Sequence, residues 1–200
     1  AGAAGCFSFY PVKHLTTAEG GMLVSRHEDL AARVAKLRAF GVDRRHDERA
    51  VPGMYDVPGL GLNYRMSELQ AALGRSQLAR MDENLARRRA NFTTVKAALE
   101  GVHGVYVVDS PDGRIANSHY CLTLVLDGEL GARRGEIVTR LNELGVGTSL
   151  YYPQPVPRMS YYQQRYGYDA ARFPGAEGIS DRSIALGVGP HLAPGDAEWV

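Results

Sequence analysis

Phe7-Ser8-Phe9-Tyr10-Pro11-Val12-Lys13-His14-Leu15-Thr16-Thr17-Ala18-Glu19-Gly20-Gly21 sets one lysine at the end of an apolar aromatic run, just ahead of small and glycine residues. An amine on a surface helix stays protonated and inert. One held beside a hydrophobic strand loses its proton more readily and can form a Schiff base with an aldehyde. Alone, Lys13 reads as a solvated turn residue between two strands. Its company argues for chemistry: Ser8 lies five residues upstream, Glu19-Gly20-Gly21 follows, and an ordered block comes later at Asn63-Tyr64-Arg65-Met66-Ser67-Glu68-Leu69-Gln70-Ala71-Ala72-Leu73-Gly74.

Working outward, residues 5–10 read as a short aromatic strand, 11–17 as a turn and 21–24 as a second strand, which puts Lys13 in the connection. Ser25 with Glu28 has the spacing of a capping box for a helix with Leu30, Val34 and Leu37 on one face, stopped by Gly41 and packed back on the sheet. Residues 42–62 carry Pro52, Gly53, Pro58, Gly59 and Gly61 with neither period, so a long ordered loop or lid is expected. Ser67 and Gln70 form a second capping box. One long bridging helix should follow, with Leu69, Leu73, Leu78, Met81, Leu85, Phe92, Val95 and Leu99 apolar.

Past Gly101 strands are expected at 105–108 and 120–126, then a helix through Ile137, Val138, Leu141 and Leu144 ended by Gly145, then a strand at 147–152. This is a small α+β unit. The tail is rich in tyrosine, proline and glycine and opens a last helix after Pro194-Gly195-Asp196. Two domains follow, 1–78 and 79–200, and the 200 residues suffice for a core.

The formal charge of +1 provides no basic field, so nucleic acid and anionic membranes are not expected partners. Arg87-Arg88-Arg89 falls in the long helical pattern and reads as a solvated face. Cys6 and Cys121 have no CxxC partner, and both read as small core hydrophobes in a reducing cytoplasm. No leader or membrane-crossing apolar run is expected. Asn91-Phe92-Thr93 matches a glycosylation sequon but falls within helix, and it is discounted. The six histidines, His14, His27, His46, His103, His119 and His191, show no ligand spacing, so no metal site is expected.

The lysine stretch and the Asn63–Gly74 block resemble the DegT/DnrJ/EryC1/StrS family of sugar aminotransferases. The likeness runs from residue 1 to 200 through Gly147-Thr148-Ser149-Leu150-Tyr151-Tyr152-Pro153 and Phe173-Pro174-Gly175-Ala176-Glu177. It implies an α/β, fold-type I transferase of the aspartate aminotransferase kind, dependent on pyridoxal 5'-phosphate (PLP). The chain would be the second half of a member: the end of the large domain and the small C-terminal α+β domain, with the acid that protonates the pyridine nitrogen lying upstream. Such a piece alone is expected to bind PLP poorly and to be inactive.

The resemblance assigns Lys13 as the residue that holds PLP and then carries protons, and Ser8 as a phosphate ligand, where the alternative is a capped strand end. Asn63 matches an asparagine that reaches across a homodimer interface to the partner's phosphate, implying a shared active site. The alternative is a left-handed turn, which asparagine tolerates. Arg65 is equally suited to a salt bridge. Ala18 replaces a usual glycine. Tyr151 and Pro157 stand where histidines are common, at positions that border the substrate pocket in relatives, and His119 matches a frequent histidine that alone reads as a satisfied structural residue.

The implied activity is transfer of an amino group, from L-glutamate, to a nucleotide-linked keto sugar in deoxyamino sugar biosynthesis for O-antigen, capsule or antibiotics. Alternatives are a deoxysugar dehydratase, an aminotransferase for a free ketose, inositol or octulosonate, and a catalytically silent dimerising homologue. Dehydratase relatives carry histidine where Lys13 stands, which favours transamination.

Overall fold

A computed structural model describes residues 2–110, 114–193 and 195–200. The chain divides into two compact units, Ala1–Met81 and Asp82–Val200. Among the described residues no helix is long and apolar enough to cross a membrane.

In the first unit, β1 (Ala4–Ser8) pairs antiparallel with β2 (Gly21–Ser25), Ala4 opposite Ser25 and Ser8 opposite Gly21. The connection is residues 9–20, so the strand–turn–strand reading holds. Helix α1 (Glu28–Leu37) follows and packs on β2. Ser25 does not cap it. Its hydroxyl donates to Ala3 O (2.7 Å) and accepts from His27 N (3.0 Å), and His27 takes the cap position with no side-chain bond.

Residues 42–62 form a loop with one 3₁₀ turn at His46–Glu48 and a closed neck. Gly41 (φ +74°) passes so close to 59–61 that a Cβ on Gly61 would strike the Gly41 amide. Asp43 ties across to Asp56 through Asp43 N→Asp56 O (2.9 Å) and Asp56 N→Asp43 Oδ1 (3.0 Å). The Arg44 guanidinium, with the Asp56 amide, holds the Asp43 carboxyl down to about 2. The chain then runs extended alongside residues 37–40 and enters α2 (Glu68–Leu78) through the expected Ser67–Gln70 capping box.

The single bridging helix is corrected to two, because α2 ends before α3 (Met81–Ala98) begins. Arg80 N bonds Gln77 O, an i−3 turn that tightens the helix end.

The second unit is a four-stranded antiparallel sheet in the order β3 (Val105–Val107), β4 (Leu122–Leu126), β6 (Ser183–Leu186), β5 (Thr148–Ser149). Around it lie α4 (Gly128–Ala132), α5 (Arg134–Glu143), α6 (Ser160–Tyr166), α7 (Pro174–Arg182) and a final turn α8 (Asp196–Trp199). Pro194, named in the sequence reading of that last helix, lies outside the described residues.

β4 alternates, burying Leu122, Leu124 and Leu126, as a strand with one core face must. β6 is buried at every position because it sits between β4 and β5. Sequence patterning does not reveal it, since it lies in a tail of irregular composition. Phe92 and Val95 of α3 close the core with Val146, Ile184, Leu186 and Val188.

Two further sequence expectations change here, those for Arg88 and for the cysteines. Arg88 is not solvated: it leaves the α3 face to donate to Tyr120 O (3.0 Å) and His119 O (3.4 Å), and burial lowers its pKa. Its neighbour Arg87 does behave as a surface cation, pairing with Glu83 at 2.9 Å. Cys6 is exposed rather than core, and Cys121 is half-buried. Asn91 is occupied structurally, its amide donating to Gly189 O (2.9 Å).

Candidate active site

The Lys13 loop is built from backbone bonds. Phe9 N donates to Gly20 O (2.9 Å), and Phe9 O accepts from Thr17 N (3.0 Å) and Thr16 Oγ1 (3.0 Å), so the loop is pinched at its base. At its tip Lys13 N donates to Tyr10 O (2.9 Å), closing a turn whose second residue is Pro11, the position where a fixed φ favours the turn. Ser8 caps the strand end by accepting from Tyr10 N (3.3 Å). That bond uses an oxygen lone pair and leaves the hydroxyl proton to be given to an anion. The cap and the phosphate role are therefore compatible, and one turn carries both Ser8 and the exposed Lys13.

The far side of the loop is tight. Ala18 has φ +65°, the left-handed region that glycine adopts without strain and alanine does not. Thr17 is 1% exposed, and its hydroxyl donates to Glu19 O (2.7 Å). A Cβ on Gly74 of α2 would lie 2.9 Å from Thr17 Cγ2, and one on Gly20 would lie 3.0 Å from Met66 Cε. Gln70 Nε2 also donates to Glu19 O, at 2.8 Å. Sequence reasoning missed these roles of Thr17, Gln70 and Gly74. The available signal was an isolated glycine inside a helical pattern, which usually marks close packing.

Asn63 lies on the extended segment, bridged to Ala39, with Tyr64 N bonding Arg38 O (2.8 Å) and Leu62 N bonding Leu37 O (2.6 Å). It does not adopt the left-handed conformation considered for it. Among the described non-glycine residues that conformation belongs to Ala18, Phe40 and His119. The Asn63 side chain is exposed and available as a donor. Arg65 stacks on Phe40 at 4.8 Å instead of forming the salt bridge considered for it.

In the second unit His119 (φ +49°) tilts against Phe92, ring centroids 4.4 Å apart. It is not the satisfied histidine expected. Nδ1 is buried with no hydrogen-bond partner, and burial pushes the imidazole below its ordinary pKa. Tyr120, Tyr151 and Tyr152 form a chain of rings at 5.8 and 5.7 Å, and burial raises the Tyr120 phenol. Among the described residues no group of three His, Cys, Asp or Glu could hold a metal ion.

Lys13 on a fixed turn, the Ser8 hydroxyl at the end of β1 and the exposed Asn63 on the segment feeding α2 are one amine and two uncharged polar groups, the residue types that an aldehyde-bearing phosphate ester calls for. The chain matches the DegT/DnrJ/EryC1/StrS aminotransferase family over residues 1–200 and belongs to that family. Its members are PLP-dependent aminotransferases of fold type I.

Among its relatives, the spore coat polysaccharide biosynthesis protein SpsC of Bacillus subtilis is 35% identical over 206 residues, covering 100% of this chain and 52% of that protein. The UDP-4-amino-4,6-dideoxy-N-acetyl-beta-L-altrosamine transaminase of Campylobacter jejuni is 27% identical, covering 97% of this chain and 49% of its own length. The solved structure of DesV from S. venezuelae, in complex with a ketimine intermediate, superposes with a TM-score of 0.84 at 30% identity, covering 98% of this chain and 49% of DesV. The chain thus spans about half the length of the curated relatives it matches.

Proposed function

We propose that the protein bearing this chain is a PLP-dependent aminotransferase that moves an amino group from L-glutamate to a keto sugar carried on a nucleotide. The observation that carries it is the Tyr10–Lys13 turn, which sets the exposed Lys13 directly after Ser8, whose hydroxyl caps the strand end. When bound, PLP supplies the electron sink for proton loss at the substrate's amine-bearing carbon. Lys13 is the residue that would hold the cofactor through its aldehyde. Its Nζ would also serve as the group that accepts the proton leaving the substrate carbon. The Ser8 hydroxyl orients the phosphate without adding charge. Asn63 donates its amide to the phosphate bound by a second copy, so the working unit is a homodimer with shared sites.

Residues 1–78 are the end of the large cofactor domain, and 79–200 the small domain. The apolar surface of the first unit supports this reading. Phe7, Met22, Met54, Leu60 and Leu69 are all more than half exposed, as a layer of a larger domain would leave them. A dehydratase is disfavoured, since the residue at position 13 is an amine and not an imidazole.

The test incubates the full-length protein with PLP, L-glutamate and a panel of nucleotide keto sugars. An aminated sugar found by mass, with stoichiometric 2-oxoglutarate, is expected. Loss of oxygen from the sugar without 2-oxoglutarate would establish the dehydratase, and 2-oxoglutarate formed only with unattached ketoses would overturn the nucleotide.

A further inference from the structure

The polar contact behind the Lys13 loop does more than cap a helix. Gln70 uses both ends of its amide: Oε1 accepts from Ser67 N (2.8 Å), and Nε2 donates to Glu19 O (2.8 Å). These partners fix which end is which, because an N–H must face the oxygen and a carbonyl must face the NH₂. Glu19 O also accepts from the buried Thr17 hydroxyl, so both of its lone pairs are used. The Thr17 methyl meets the bare Gly74 face of α2, and Met66 closes on Gly20. The loop with Lys13 and the segment with Asn63 are therefore joined by one side-chain amide and two close approaches.

Among the described residues of this unit only Thr17 and Gly41 are buried, and Thr17 lies at the contact between the loop and α2. A hydrogen bond is directional where apolar packing is not, and two acceptances at one carbonyl leave the loop a single seat.

We propose that Gln70 is a positioning residue for the reaction: its amide, with Thr17 and Gly74, latches the Lys13 loop to α2, so that Lys13 and Ser8 of one site keep a fixed register with the Asn63 that serves the partner's site. The proposal deepens the aminotransferase reading and rests on it for the role of Lys13. The latch itself can be read without the cofactor.

The discriminating variant is Gln70→Glu. A carboxylate still accepts from Ser67 N, so the capping box survives, but it cannot donate and sets a negative oxygen against Glu19 O. Thr17→Val removes the second donor in the same shape, while Thr17→Ser keeps the hydroxyl and serves as the conservative rescue. Hydrogen exchange is measured on the full-length protein, with PLP and after its removal.

Expected for Gln70→Glu and Thr17→Val is exchange about tenfold or more faster at the Phe9, Lys13 and Thr17 amides, with the α2 first turn and the Leu122 and Leu124 amides unchanged. Thr17→Ser should stay within about twofold of the parent. With PLP bound, the same two loosened variants should shift the pH at which the protein-bound chromophore titrates. Unchanged loop exchange in Gln70→Glu overturns the latch, as does faster exchange spread equally through α2. If the loop loosens but borohydride fixes the cofactor elsewhere than Lys13, the latch stands as a structural feature and the positioning role falls with the aminotransferase reading.

Discussion

The two units of this chain differ in how much apolar surface these 200 residues bury for themselves. The unit of residues 82–200 folds around its own apolar interior, with Leu122, Ile184 and Val188 at 0% exposure and a central strand buried on both faces. The unit of residues 1–81 buries no apolar side chain among its described residues. Within these residues its segments are joined by backbone bonds, a glycine–glycine neck and the Gln70 amide. The candidate chemistry lies entirely in this second kind of structure. A site whose parts are aligned by directional bonds can be specified without a core, but its stability must come from further burial.

The comparison is broken or sharpened first at Lys13. Lys13→Ala in the full-length protein should abolish turnover, by about a thousandfold or more, and remove the covalent cofactor. Full turnover with protein-linked cofactor would remove the proposed chemistry from this loop. Next, Leu122→Ala should cost about 3 kcal/mol in urea unfolding of this chain. Leu69→Ala, at 85% exposure, should cost less than about 0.5 kcal/mol. Equal costs would mean the first unit has a core after all, whereas a penalty for Leu69→Ala that appears only in the full-length protein would locate the missing cover on α2.

Ala18→Gly should stabilise by about 1 kcal/mol, because a left-handed φ of 65° strains the alanine Cβ and leaves glycine unstrained. Calorimetry of the two forms decides it.

The smallest effect concerns the surface pair of the second unit. Arg158 NH1 donates to Asp181 Oδ2 at 3.0 Å and holds that carboxyl below the usual carboxylate range. With a folded pKa below the unfolded one, the stabilisation is complete above about pH 4 and is lost as pH falls through the folded value. The side chain is 47% exposed, so the contribution should not exceed about 0.5 kcal/mol. Urea midpoints of the parent and Asp181→Asn should differ at neutral pH and converge in acid. A difference that persists there would show the ion pair is not its source.

Much was legible where a short-range rule suffices. The Ser67–Gln70 spacing announced α2, Pro11 announced the turn that carries Lys13, and alternation announced β4. The failures share a cause. Ser25 had the right spacing for a cap but found a better partner in Ala3 O, brought close only by hairpin pairing. Arg88 looked like a surface cation until the chain beyond Asn117 delivered two carbonyls to it. β6 is four residues long, too short to show a period, and is a strand because two others flank it.

By itself the sequence determined the family and the local elements on either side of Lys13. These depend on residues close in the chain, whose bonds form wherever the segment is placed. Only the tertiary structure decided that Thr17 is buried, that Gly74 must lack a side chain, and that Gln70 gives its amide to Glu19 O, fifty-one residues away. The physical reason is that such pairings have no period. They exist only once the fold has brought two distant segments to within a hydrogen bond of each other.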